Sequence, residues 1–119
     1  MDKYQTLRIE RSNSVLADKV AVAESFLARA KGLLGRRELA VGEALLIRRC
    51  NSVHMFFMNF AIDVVFCDAN GEVIKLRENL RPWTVSGICW KASYVIELPC
   101  STIAAKDIRV GDRLRLGLV

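Results

Sequence analysis

Three acid–base side chains lie within apolar runs of the chain: His54, which is the only histidine, Asp63 and Glu97. A pocket in which His54 is a general base and a carboxylate orients it would be an active site. A buried carboxylate is costly unless it is hydrogen-bonded or paired. The alternative is therefore structural, with both carboxylates bonded to backbone amides or to Arg29 and Arg36.

The chain shows no nucleophile elbow, phosphate-binding loop or metalloprotease helix. Because no known reaction can be written from His54, Asp63 and Glu97, the sequence favours a binding module over an enzyme. The enzyme alternative stays open as a His54/Asp63 acid–base pair acting on an unknown substrate.

A metal site is a second alternative, because Cys50, His54, Met55 and Met58 lie within nine positions. A thiolate, an imidazole and thioethers together suit Cu(I). On a strand, however, Met55 points away from His54 and Met58, and methionine between phenylalanines usually fills a core. We therefore expect no metal and no other cofactor.

Length, composition and charge predict one globular domain over residues 1–119, which are 52% hydrophobic and 26% charged. The net charge of +5 comes from residues spread along the chain, without a basic tail, so nucleic-acid binding is not expected. No apolar signal segment opens the sequence, which predicts a cytoplasmic protein that does not bind membranes. The oligomeric state is left open.

Four cysteines lie far apart and form no C-x-x-C pair: Cys50, Cys67, Cys89 and Cys100. All have apolar neighbours. We expect reduced, buried thiols rather than a disulfide framework.

The longest apolar stretch is CNSVHMFFMNFAIDVVFCD, residues 50–68. Alternate positions from Val53 to Met58 are apolar on both faces, which predicts a strand buried on two sides with Phe56 in the core. The aromatic alternation ends at Asn59, so a bend and then a new strand over 62–67 are expected.

The rest of the chain predicts mostly short strands. These lie at 4–10, 20–23, 44–47, 72–77, 92–98 and 113–118, with a turn at 68–71 and one helical turn near 102–108. Ser25 and Gly35 would begin and end one early helix. The loop at 79–87 would lay Trp83 over the core. About seven short strands and one N-terminal helix indicate a mainly β fold, either a sandwich or a barrel.

A possible binding surface follows from the aromatic and basic residues. Trp83, Trp90 and Tyr94 could contact a small ligand or a protein partner, with Arg36, Arg48 and Arg49 as a charged rim. The alternative is that the aromatics cover the core and the arginines are solvated.

Several blocks in order resemble the family catalogued as domain of unknown function 192, which occurs in bacteria and archaea. They are Arg29 with Gly32-Leu33-Leu34 and Arg36, then residues 50–68, DANGEV, YVIELP and IRVGDRL, covering about residues 20–116. The resemblance implies a compact β domain of jelly-roll type with one N-terminal helix, and it implies no known activity. We expect a bacterial protein, whose polar residues in the first two blocks would bind the ligand: Arg29, Arg36, His54 and Asp63.

Overall fold

The computed structural model describes residues 5–24 and 38–118. This part of the chain forms seven strands and one short helix. They are β1 (Gln5–Ile9), β2 (Val15–Ala23), β3 (Glu43–Arg48), β4 (Ile62–Cys67), β5 (Val73–Leu80), β6 (Tyr94–Pro99), α1 (Thr102–Lys106) and β7 (Leu114–Leu118). The prediction of a mainly β protein is confirmed.

The seven strands form one sheet in the order β5-β4-β6-β3-β2-β1-β7. All neighbours pair antiparallel except β2 and β3, which are parallel. A parallel pair needs a crossover between its strands, and here the crossover is the chain between Ala23 and Glu43.

The sheet curls until its two edges meet at one end. Glu72 before β5 forms a bridge with Arg113 before β7, and the Leu114 N–H donates to the Gly71 carbonyl over 2.9 Å. Gly71 has φ +85°, and a Cβ there would lie 2.7 Å from the Leu114 carbonyl oxygen. The turn therefore needs glycine, and the result is a half-barrel.

Each face of the sheet carries its own hydrophobic cluster. The first includes Leu7, Leu46, Val65 and Ile96, and the second includes Ile47, Val64, Phe66 and Val95. Strand β4 is buried along all six residues because it contributes alternately to both clusters. This matches the buried strand predicted over 62–67.

Three fold predictions need correction. The strands belong to one curled sheet, so a two-sheet jelly-roll sandwich is not confirmed. The helix of the described residues, α1, lies near the C terminus, not the N terminus; the segment predicted as the early helix, 25–35, lies outside them. The buried strand predicted over 53–58 is wrong, because only His54 there pairs as a single bridge.

Candidate binding surface

Two segments without regular strand structure pair with each other to form what we call the ribbon, residues 50–58 and 83–89. Hydrogen bonds join their backbones: Met55 N to Thr84 O and Trp83 N to Met55 O at 2.7 Å each, and Ser86 N to Val53 O and Cys89 N to Asn51 O at 2.8 Å each. The Ser86 hydroxyl also accepts from the Val53 amide over 2.9 Å. The ribbon is thus held by a ladder rather than by a buried strand.

The first ribbon segment has both buried and solvent-exposed side chains. Val53, Met55 and Met58 are buried in the second cluster. Phe56 is 41% exposed and stacks on the ring of His54, with 4.9 Å between ring centroids. The ribbon therefore covers the second face of the sheet with one side, and its other side is exposed to solvent.

At the Met55 end of the ribbon ladder, each segment adjoins a tight turn with an aromatic residue at its third position. Met58 N donates to Met55 O, and Thr84 N donates to Arg81 O, each over 3.3 Å. The third residues are Phe57, with φ +65°, and Trp83, with φ +67°. A turn with positive φ at this position normally carries glycine or asparagine there.

The two turns face each other through these aromatic rings. The Phe57 and Trp83 centroids lie 4.9 Å apart, and the Phe56 and Trp83 centroids lie 6.2 Å apart. Phe57 is nevertheless 68% exposed and Trp83 60% exposed. Trp83 does not lie over the core as predicted, because its turn projects the indole outward.

Further exposed apolar side chains are Val85 and Ile88 in the second segment and Trp90 directly after it. With Phe56, Phe57 and Trp83 they form what we call the ribbon surface. Because an aromatic side chain has about 150–250 Å² of surface, the six side chains expose on the order of 600 Å². The largest apolar patch on a typical monomer is about 300–600 Å² and often functional.

Three bulky residues with strained backbone lie on or beside the ribbon. Seven described residues other than glycine have positive φ, and four of them are Asn, Asp or Ser in other turns: Asn13, Asn79, Ser101 and Asp107. The other three are Arg49, Phe57 and Trp83. Bulky residues in this conformation are outliers, and such strain clusters at binding sites.

Charge on the ribbon and its flanks has one sign. Residues 48–58 and 81–91 contain Arg48, Arg49, Arg81 and Lys91 and no acidic residue. All four basic residues are exposed. The apolar ribbon surface therefore has a basic rim.

Concave sites lie beside the ribbon surface. A cleft of about 240 Å³ is lined by Ser52, Val53, His54, Val85, Gly87 and Ile88. Two grooves of about 480 and about 370 Å³ lie nearer the start of the first segment, and both are lined by Arg49 and Ser93.

Asp63 is fully buried and has a structural role. Its Oδ1 accepts from Asn79 N and its Oδ2 from Ile103 N, each over 2.9 Å. The structural interpretation of Asp63, bonded to backbone amides, is confirmed.

The structure does not bring His54 and the two carboxylates to one place. Asp63 pairs with Leu98 of the first cluster, whereas Glu97 pairs with Val64 of the second, so the carboxylates point to opposite faces. His54 lies on the ribbon over the second face, so the sheet separates it from Asp63. An acid–base pair of these two residues has no geometric basis.

Other predicted site residues have mixed outcomes. Arg29 and Arg36 lie outside the described residues. Trp90 is 81% exposed, and Tyr94 is half-buried. Arg48 pairs with Glu24 over 3.2 Å on the surface.

The metal alternative gains no support from residues 5–24 and 38–118. No three His, Cys, Asp or Glu side chains there could hold a metal ion together. Met55 and Met58 are buried, whereas His54 lies on the cleft. No helix in the same residues is long and apolar enough to cross a membrane.

None of the four cysteines forms a disulfide, as predicted. Only Cys67 is buried, and the other three are partly exposed. The prediction that all four are buried is therefore wrong.

The fold and the surface define a small half-barrel domain with an apolar ribbon, and sequence comparison gives its family. The model of the DUF192 family, described as uncharacterised, matches residues 7–116, so the chain belongs to that family. A UPF0127 protein of Pyrococcus furiosus is 39% identical over 99 residues, covering 81% of this chain and 84% of that protein. One from Pyrococcus abyssi is 35% identical over 113 residues, covering 89% and 93%.

Crystal structures support the fold. One from Sinorhizobium meliloti has a TM-score of 0.78 and 24% identity, covering 98% of this chain and 96% of the other. A protein of unknown function from Novosphingobium aromaticivorans has a TM-score of 0.79 and 20% identity, covering 93% and 82%. The expectation of a bacterial protein is not supported, because the curated relatives are archaeal.

Proposed function

We propose that this domain is a binding module that holds an acidic protein partner on the ribbon surface. The observation that carries the proposal is the pair Phe57 and Trp83. Both are held at positive φ by facing turns, with their rings in contact and mostly exposed.

The energetics of the two turns favour a role outside folding. A bulky residue at positive φ costs about 1–3 kcal/mol. A ring that stays 60–68% exposed recovers little of that by burial. Glycine at both positions would remove the strain, so the aromatic rings are better explained by an external contact.

The residue types and the area suit a protein interface. Tryptophan and arginine are enriched among the residues that dominate binding energy, at an apolar centre with a polar rim. The ribbon surface, on the order of 600 Å², approaches the roughly 800 Å² per partner of a standard interface.

Charge selects the kind of partner. The rim holds four basic residues, and Glu24, paired with Arg48, offsets one of them, so two copies of the chain would still repel each other here. An acidic partner would be attracted. The cleft beside His54 and Val85 could take one apolar side chain of that partner, a feature that favours a protein over a lipid surface.

A peptide selection tests the proposal directly. Short random peptides would be displayed and selected on the immobilised domain, and the selected sequences synthesised with their Asp and Glu either kept or changed to Asn and Gln. Binding can be followed by intrinsic fluorescence, because both tryptophans of the chain, Trp83 and Trp90, lie on the ribbon surface. We expect selected peptides to carry acidic residues around an aromatic or large aliphatic residue.

The variants Phe57→Gly and Trp83→Gly should each weaken this binding by about tenfold or more, as hot-spot residues do. Val41→Ala and Val110→Ala are matched controls, because both valines are exposed but lie outside the ribbon. Their affinities should stay within about twofold.

Three outcomes would overturn the proposal. Binding could be unaffected by the two glycine variants, or the neutralised peptides could bind as well as the acidic ones. The third outcome is that the selection yields no peptide. Phe57-dependent cosedimentation with phosphatidylglycerol vesicles would then assign the surface to a membrane, and Phe57-dependent binding of a single-stranded oligonucleotide would assign it to a nucleic acid.

A further inference from the structure

The groove of about 480 Å³ lies where three strand ends meet. Arg48 ends β3, Tyr94 begins β6, and Ala69 belongs to the turn between β4 and β5. The groove of about 370 Å³ adjoins it and extends to Asn51 on the ribbon. The pair has a volume typical of sites for small ligands.

Arg49 lies at the junction of the two grooves. It has φ +52°, is exposed, and makes no hydrogen bond or ion pair with another described residue. A strained backbone is common at ligand-binding residues, and the guanidinium of Arg49 is available to bind a ligand. A guanidinium binds a carboxylate or phosphate by two parallel hydrogen bonds.

Polar side chains beside Arg49 can add to such an interaction. Ser93 lines both grooves and Asn51 lines the smaller one, so a hydroxyl and an amide are available as donors. Arg48 adds a second positive charge, although its exposed pair with Glu24 at 3.2 Å competes for it.

Tyr94 adds no negative charge to the larger groove. Burial raises the pKa of the Tyr94 phenol, and burial also raises the pKa of its hydrogen-bond partner Cys67 to about 12. Both groups are therefore neutral at pH 7. The carboxylate that lines the groove, Glu24, is paired with Arg48, and Asp68 beside the groove residue Ala69 accepts through Oδ1 from the amides of Asn70 and Glu72 at 2.9 and 3.0 Å.

We infer that these joined grooves are a site for a small ligand bearing an oxyanion, a carboxylate or a phosphate, held by Arg49 with help from Ser93. The site shares Arg48 and Arg49 with the basic rim, but none of the six side chains of the ribbon surface lines it, so it does not depend on a protein partner. A carboxylate and a phosphate offer the same paired oxygens to a guanidinium, so the experiment has an arm for each.

Nuclear magnetic resonance titrations can test the site with inorganic phosphate in one arm and succinate in the other, at constant ionic strength set by chloride. Amide shifts should appear at residues 48–51 and 92–94 and saturate in at least one arm. Arg49→Gln should weaken that binding by about tenfold, the effect of losing a bidentate charged contact. Glu24→Gln should strengthen it several-fold, because Arg48 is then released toward the groove.

Arg115→Gln is the control, since Arg115 is exposed on β7, and its affinity should match that of the unmodified protein. Saturation by phosphate alone or by succinate alone supports the site and identifies the oxyanion. The inference fails if neither anion shifts these amides beyond chloride, if Arg49→Gln binds normally, or if Glu24→Gln weakens binding.

Discussion

The Oδ2 atom of Asp63 on β4 accepts a 2.9 Å hydrogen bond from the backbone N–H of Ile103 in α1. The residue before the helix, Ser101, makes no side-chain capping bond, so Asp63 satisfies this amide in its place. Because Oδ1 binds Asn79 at the end of β5, one carboxylate joins β4, β5 and α1.

Asp63→Asn should therefore lower the free energy of unfolding by about 2–4 kcal/mol. An asparagine has one acceptor oxygen and one NH₂, so one of the two amides would face another donor inside the core. Urea denaturation measures the change. Glu78→Gln, on the exposed part of β5, should change stability by less than about 0.5 kcal/mol. Equal effects of the two changes would show that the carboxylate network does not stabilise the fold.

Phe66→Ala should cost about 3–5 kcal/mol, because Phe66 is fully buried in the second cluster and its loss leaves a cavity. Phe56→Ala should cost about 1 kcal/mol or less, since Phe56 is 41% exposed. Arg115→Ala serves as an exposed control below about 0.5 kcal/mol. Denaturant melts that rank Phe56 equal to Phe66 would contradict the ribbon geometry.

Much of the sheet could be predicted from local patterns. Residues 62–67 and 72–77 are joined by Asp68-Ala69-Asn70-Gly71, whose turn chemistry fixes an antiparallel pair regardless of distant contacts. Curling of the sheet could not be predicted, because it depends on Gly71 and Leu114 meeting across the barrel. The parallel pairing of β2 with β3 is likewise a long-range contact without a local signal.

The exposure of Phe56 and Phe57 could not be predicted because the composition around them is that of a core, whereas Trp83 and Trp90 were predicted as possible surface contacts. Phe56 and Phe57 lie between the buried Met55 and Met58, so the apolar run resembles a strand covered on both sides. Only the pairing of residues 50–58 with residues 83–89 shows which side of the ribbon is exposed to solvent, and residues 83–89 have no strand pattern in the sequence. The one local signal was Pro82 before Trp83, since proline favours the second position of such a turn.

Stability at low pH should depend on the pair Arg11 and Asp112. Two hydrogen bonds of 2.8 and 3.0 Å from the guanidinium hold the pKa of Asp112 below its ordinary value of 3.8. A lowered folded pKa stabilises the protein above the unfolded value, and the stabilisation disappears as pH falls through the folded value. Arg11→Gln should thus reduce stability near neutral pH more than in strong acid. Urea denaturation from acid to neutral pH measures the change, with Arg113→Gln as the exposed control. The same pH dependence in both variants would show that the Arg11–Asp112 pair does not stabilise the fold.

Cys67 should react slowest of the four cysteines in the folded protein. It is buried, and burial raises the pKa of its thiol to about 12, so almost no thiolate forms at mildly alkaline pH. Alkylation followed by mass spectrometry should modify Cys67 last, after the three partly exposed cysteines, whereas the unreduced, denatured protein should show four reactive thiols. Fewer than four would reveal a disulfide, and rapid modification of Cys67 would contradict its burial.

Strain at Phe57 can be measured without knowing any partner. Phe57→Ala and Phe57→Gly both remove the ring, and they differ only in how easily the backbone adopts φ +65°. We expect the glycine variant to be more stable than the alanine variant by about 1 kcal/mol, since positive φ penalises a Cβ. At Ala104 in α1 the order should reverse, because glycine inside a helix costs about 1 kcal/mol relative to alanine. Denaturant melts of these variants give the comparison. If Phe57→Ala is as stable as Phe57→Gly, the backbone at residue 57 is not strained, and the proposed binding role loses its main support.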